Sequence, residues 1–226
     1  MPARNVVKTY VAGGYYHIYN RGIEKRIIFQ DEMDYKTFLK YLKEALSAPR
    51  EPKELRKIEL QGGTLLINPR QVKSFENTIN LIAYCLMPNH FHLLVKQKGI
   101  MDINRFMQSI ITRYSMYFNK KYKRVGKLFQ GHYKAILIYD ENYLLHLSRY
   151  IHLNPSEYTN NLETAYSSYG EYLGKRKTFW IKPDVILSFF KNVTKDFMQG
   201  INTYKGFVEK SGTDSGLILG KMTLEN

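Results

Sequence analysis

The sequence predicts an α+β fold: a ferredoxin-like sandwich with a central, largely antiparallel sheet, helices packed on one side of it, and a C-terminal helical extension. Three observations lead there. β-prone and helix-periodic segments follow one another as strand, helix, strand, strand, helix, strand, helix. The two central strands are separated only by Pro88-Asn89, a hairpin-length turn. A hydrophobic fraction of 44% in 226 residues suffices for one good core with a small appendix.

The elements follow in order. Tyr15 to Asn20 (Tyr-Tyr-His-Ile-Tyr-Asn) is rich in strand formers and ends at Arg21-Gly22, which predicts a first strand. Asp31 to Leu46 places Tyr35, Phe38, Leu39, Leu42 and Leu46 on one stripe, which predicts a helix. Residues 49–78 are broken by Pro49, Pro52, Gly62-Gly63 and Pro69 and read as an insertion, a hairpin or a short helix. Leu81 to Met87 is a short apolar run, hence a buried strand. Pro88-Asn89 then turns the chain into a second strand that starts at His90.

Asp102 to Tyr122 reads as a helix capped by Asp102, with Ile103, Phe106, Ile110, Tyr114 and Tyr117 at helical spacing. A basic segment, Lys120 to Arg124, leads to Gly126. Leu128 to Ile138 reads as a strand pair or one bent strand. Asp140 to Leu153 is a further helix, with Leu144, Leu147 and Ile151 as its buried stripe and Asn154-Pro155 as its stop. Tyr158 to Gly174 is rich in Tyr, Ser and Gly. Pro183 to Val208 suits one or two helices, and Ser211 to Asn226 reads as a mobile tail. There is no internal repeat. The expected division is a main domain over 1–175, with its insertion at about 49–78, and a C-terminal helical extension and tail over 176–226.

Composition narrows the partners. There are 34 basic against 20 acidic residues, a formal net charge of +14, and aromatics make up 14% of the chain, including 19 Tyr. Such an excess of cations suits a polyanion, and rings interleaved with cations suit single-stranded nucleic acid, where charge follows the backbone and rings stack on bases. A basic protein with tyrosines in its core is the plain alternative, and attraction to a membrane surface is a rival account of the charge. The single cysteine, Cys85, lies in an apolar run and cannot form an internal disulfide. No apolar run reaches membrane-spanning length, and Met1-Pro2-Ala3-Arg4-Asn5 lacks a signal-peptide core, so a cytoplasmic protein is expected.

The segment with the most chemical information is His90-Phe91-His92. Residues two apart on a strand share a face, so His90 and His92 point one way while Phe91, Leu93 and Val95 point the other. The apolar face is expected to be buried and the imidazole face open. Two imidazoles on one rigid strand are half of a divalent-metal site; two surface histidines on an amphipathic strand are the bland alternative. On the helix that stops at Pro155, Tyr150 and Asn154 are four residues apart, about 40° round the axis, so a phenol and an amide oxygen share a face at the helix end. His152 is about 200° from Tyr150 and falls outside that site. Taken singly, Tyr150 reads as a packed helix tyrosine and Asn154 as a helix terminator.

Taken together, these segments resemble a known family. Pro88-Asn89-His90-Phe91-His92-Leu93-Leu94-Val95 is similar to the His-hydrophobe-His segment of HUH single-strand endonucleases. Tyr150-Ile151-His152-Leu153-Asn154-Pro155 is similar to the catalytic-helix segment of their single-tyrosine transposase branch. Tyr16 to Gly22, Asp34 to Leu39, Gly126 to Gly131 and Tyr166 to Tyr169 match in the same order, so the resemblance covers roughly residues 10–172 and is nearest to the REP-associated tyrosine transposases and their insertion-sequence relatives. It implies a metal-dependent endonuclease and strand transferase acting on single-stranded or hairpin DNA. Tyr150 would be the nucleophile, forming a 5′-phosphotyrosine link, and His90, His92 and Asn154 would hold Mg²⁺ or Mn²⁺. Some relatives carry Gln at the position of Asn154. Arg21, Arg113, Lys127, His132 and Lys134 lie near the matching segments as candidate phosphate contacts. Relatives act as monomers or as homodimers, and both remain open. The rival functions are a non-catalytic nucleic-acid-binding module and a metal-independent endoribonuclease on a ferredoxin-like fold.

Overall fold

A computed structural model describes residues 9–49, 56–60, 63–67, 71–191 and 203–210. The expected tail from Ser211 to Asn226 lies outside the described residues. Strand β1 (Tyr15–Arg21) is followed by helix α1 (Glu32–Ala45), a hairpin of β2 (Arg56–Leu60) and β3 (Gly63–Ile67), then β4 (Ile79–Met87) and β5 (His90–Gln97). Helix α2 (Asp102–Lys121), β6 (Lys134–Ile138) and α3 (Glu141–Leu153) come next, and three short helices complete the described chain: α4 (Tyr169–Tyr172), α5 (Asp184–Leu187) and α6 (Tyr204–Lys210). The central sheet runs β4-β5-β1-β6 with every neighbouring pair antiparallel. With the β2–β3 hairpin set aside as its own two-stranded sheet, this is the ferredoxin-like order, in which the first and third strands are central. The insertion expected around 49–78 therefore contains a hairpin.

Helices cover both faces of the sheet, not one as the sequence suggested. The α1–α2 layer packs on the face formed by Tyr16, Ile18, Phe91, Leu93 and Val95, burying Phe38, Leu42, Phe106, Ile110, Tyr114 and Phe118. Phe91 is fully buried there, with its ring 5.3 Å from Phe38 and 5.9 Å from Phe129; a side chain of that size contributes about 1.5–3 kcal/mol on burial. On the opposite face, Leu144, Leu147 and Ile151 of α3 pack on Cys85, Met87 and Leu94, and Tyr169, Ile186, Tyr204 and Phe207 back them from behind. The apolar stripe of α3 was legible. That it must cover the imidazole face was not, because a helical stripe does not say which side of a sheet it will meet.

Local chemistry sets the element ends. Asp31 caps α1 by accepting the Asp34 N–H, and Asp140 caps α3 by accepting the Tyr143 N–H. Asp102 is not the cap of α2. Met101 holds that position, and the Asp102 carboxylate accepts the Gly99 N–H at 2.6 Å, tying down the preceding loop. The expected strand from Leu128 shrinks to β6, because residues 128–133 instead wrap the end of β1: the Leu128 carbonyl accepts the Ile23 N–H and the Gln130 N–H donates to Arg21 O. Helix α3 ends at Leu153 as expected, with Asn154 as its C-cap. Asn154 keeps helical angles and opens a 3-10 turn over Asn154–Glu157.

The outer edge of β4 is covered. Ile181 bridges to Leu81, Ser167 bridges to Cys85, and Ser168 N–H donates to Tyr84 O at 3.0 Å. Exposed backbone on an edge strand invites pairing with other chains, and these segments occupy it. Among the described residues, no helix is long and apolar enough to cross a membrane.

Candidate active site

Register decides what the imidazole face contains. Arg21 of β1 stands opposite His90 of β5, Tyr19 opposite His92, and Lys134 of β6 opposite Tyr19. Arg21, Tyr19, His17, His90, His92 and Lys134 therefore share one face. The Pro88-Asn89 turn that launches His90 is fixed by its backbone: Pro88 O accepts Ile28 and Phe29 N–H, and Asn89 O accepts Gly22 N–H at 2.8 Å. Gly22 is needed at this point because a Cβ there would lie 2.1 Å from the Arg26 carbonyl oxygen.

Helix α3 crosses this face and brings Tyr150 to it. The Tyr150 ring stands nearly perpendicular to His92, centroids 5.4 Å apart, and 6.3 Å from His17. One turn further on, the Asn154 amide nitrogen donates to the Tyr150 carbonyl at 3.0 Å, which aims Oδ1 back at the sheet, 3.5 Å from His90 Nε2. The face is not open as the strand pattern suggested. His92 is 0% exposed and Asn154 8%, because α3 and its flanking turn lie over them.

Burial also sets the protonation. Desolvation pushes His90 down to about 4, against the opposing Asn154 contact and with Arg21 adding to the shift. His92 is pushed well below the ordinary histidine value by burial, then by His90 and His17. Both are neutral imidazoles near pH 7, the form that offers a lone pair to a metal. Burial raises the Tyr19 phenol in the same neighbourhood.

Two observations test whether these residues fit a cation. His92 Nε2 is buried with no hydrogen-bond partner, an orphan that a metal would satisfy. The 3.5 Å between His90 Nε2 and Asn154 Oδ1 is a separation that two donors, each about 2.1 Å from one ion, adopt. Among the described residues no group of three or more His, Cys, Asp and Glu is placed to hold a metal. The candidate set is instead two imidazoles and an amide.

The remaining sequence candidates divide. Arg21 and Lys134 lie on the imidazole face, Arg21 held by Gln130 at 2.5 Å. Lys127 and His132 are exposed in the segment that wraps the end of β1. Arg113 is elsewhere: it pairs with Glu44 and stacks on Tyr41 between α1 and α2, in the layer on the sheet's other side. His152 stays out of the site, as its helical angle required; it is buried between Tyr204 OH and Ser168 Oγ, each 2.7 Å away. Sequence reasoning missed His17. The only available signal was the alternation of His17, Tyr19 and Arg21 along the first strand.

Residues 70–154, from before β4 to Asn154, match the family model of the IS200-like transposases. This segment, less than half of the chain, is similar to the IS200-like transposases. The match ends at Asn154, so it contains every residue of the candidate site except those of β1. Among solved structures, this chain is similar to a REP-associated tyrosine transposase bound to a REP hairpin: TM-score 0.50, 13% identity, covering 75% of this chain and 84% of that one. At that identity the likeness speaks for a shared fold. A protein from Deinococcus radiodurans R1 named as a transposase aligns with TM-score 0.38 and 15% identity over 64% of this chain and 93% of its own, and nothing rests on it. No curated protein matches the sequence.

Proposed function

We propose that this protein is a transposase that cleaves and rejoins single-stranded DNA beside hairpins, with Tyr150 as nucleophile and His90, His92 and Asn154 holding Mg²⁺ or Mn²⁺. One observation carries the reading. A phenol, two neutral imidazoles and an amide oxygen converge on one sheet face, with a buried, unpartnered His92 Nε2 among them. The REP hairpin bound by the structurally similar transposase supports hairpin DNA as the substrate class.

The Tyr150 oxygen attacks the phosphorus, the phenolic proton passes to solvent, and the bond to the 3′ oxygen breaks. The products are a 5′-phosphotyrosine and a 3′-hydroxyl, and reversal rejoins a strand. A divalent cation supplies charge neutralisation on the phosphate, which a phenol with a pKa near 10 needs from its electrophile. The chain's own residues position the rest. Asn154 links the end of α3 to His90, and Arg21 and Lys134 bring positive charge to the same face for the flanking phosphates.

The test uses labelled DNA and RNA hairpins with single-stranded flanks, with and without EDTA. Wild type gives a covalent protein–DNA band that EDTA removes, and Tyr150→Phe lacks it while still retaining hairpin. Adduct from Tyr150→Phe would move the nucleophile, with Tyr19 the nearest alternative on this face. Cleavage of RNA alone in EDTA would instead establish the metal-independent ribonuclease.

A further inference from the structure

We infer that His17 is a positioning residue for His92: its Nε2, 2.8 Å from His92 Nδ1, fixes the tautomer and ring angle that present a bare His92 Nε2 to the metal position. The inference rests on the metal reading above and names the part of the site that reading does not explain. Tyr19 stands directly opposite His92, so His17 reaches it from the diagonal position on β1. Both imidazoles are fully buried, and their rings lie 5.1 Å apart and within 20° of parallel.

A neutral imidazole has one N–H and one lone pair, so two facing nitrogens share a single proton. Burial alone does not choose the direction: if His17 donates, the remaining proton sits on His92 Nε2, and if His92 donates it sits on His17 Nδ1, both deeply buried nitrogens. A cation at His92 Nε2 chooses, because it needs that lone pair bare. If His92 donates from Nδ1 to His17, its Nε2 keeps a lone pair directed into the site. His90 is arranged alike: its Nδ1 is 2.6 Å from Asn89 Oδ1, an acceptor, and its Nε2 faces Asn154. Each imidazole thus has its Nδ1 held by a neighbour, and the two rings lie 5.0 Å apart. For His90 the neighbour comes from the adjoining turn, for His92 from another strand. Partners of this kind orient metal-binding histidines and raise their basicity.

The experiment measures tautomer and metal affinity, not cleavage alone. In Mg²⁺-saturated wild type with ¹⁵N-labelled histidine, long-range ¹H–¹⁵N spectra are expected to show His92 protonated on Nδ1. Titration with Mn²⁺ alone, followed by electron paramagnetic resonance, is expected to weaken about 10- to 100-fold in His17→Phe, which keeps a ring and loses the acceptor. His17→Gln, which supplies an acceptor oxygen, restores most of the affinity, and hairpin retention is unchanged throughout. An Nε2-protonated His92, wild-type affinity in His17→Phe, or equal loss in both variants overturns the assignment; the tautomer measurement decides it even if His17→Phe does not fold. Absence of Mn²⁺ binding in wild type would sink the metal reading itself, and this role with it, before any variant is made.

Discussion

Asn154 occupies a position where two roles compete. Its amide nitrogen serves the helix end and its oxygen faces His90. If the oxygen holds the cation, Asn154→Asp keeps a donor and adds charge, so the metal dependence of cleavage shifts to lower concentration. Asn154→Leu then cuts cleavage by at least about 10-fold, the scale on which metal sites lose function when a supporting group goes. Overlapping metal titrations of wild type, Asp and Leu variants would make Asn154 purely structural. The four-residue offset from Tyr150 made this pair legible in sequence, because helix geometry is local. His17 was not legible for the opposite reason. It pairs with a residue 75 positions away, and that meeting depends on a strand register no single segment encodes. The depth of His92 was hidden in the same way, since it follows from where α3 docks and not from its own strand.

Among the elements, α3 is the one on which the site depends, and it is gripped from both sides. Its sheet side is apolar; its outer side is tied to α6 by Arg149 Nε donating to Phe207 O at 2.8 Å and by the His152–Tyr204–Ser148 hydrogen bonds. Tyr204→Phe removes one hydroxyl and leaves His152 Nδ1 and Ser148 Oγ without it. The expected loss is about 1–3 kcal/mol in urea unfolding, with a smaller change in cleavage measured well below the unfolding midpoint. An unchanged midpoint would mean that α6 does not stabilise α3. Strands and helices with strong periodicity were found close to their true ends. The stretch from Leu128 to Tyr133 was misread because its apolar residues, Leu128, Phe129 and Tyr133, are buried by a wrapping loop, and burial alone imitates a strand.

At the scale of the whole molecule, charge and buried histidines govern behaviour in solution. The +14 excess predicts that hairpin affinity falls by at least roughly 10-fold between about 50 and about 200 mM salt, as neutralised phosphates release counterions. A flat salt response would count against phosphate contacts as the main source of affinity. Acid acts through His152, which burial holds down to about 3. Its folded value lies below its unfolded one, so the unfolded chain binds the extra proton. Stability is therefore complete above about pH 6.5 and drains away as the pH falls from there towards about 3. His90, His92 and His146 are lowered too and act in the same sense. Urea midpoints at about pH 7.5 and about pH 5 should differ accordingly, and His152→Gln should flatten the difference.

The Tyr150 ring lies against His92 of its own chain, and that has a genetic consequence. If Tyr150 and His92 are the reacting groups proposed above and act within this arrangement, each polypeptide carries both, and defects in two polypeptides do not compensate one another. Mixing Tyr150→Phe protein with His92→Ala protein should restore no strand scission at any ratio, and scission by wild type should stay first order in protein down to high dilution. Recovered activity in the mixture would require that the helix bearing Tyr150 trade places between subunits.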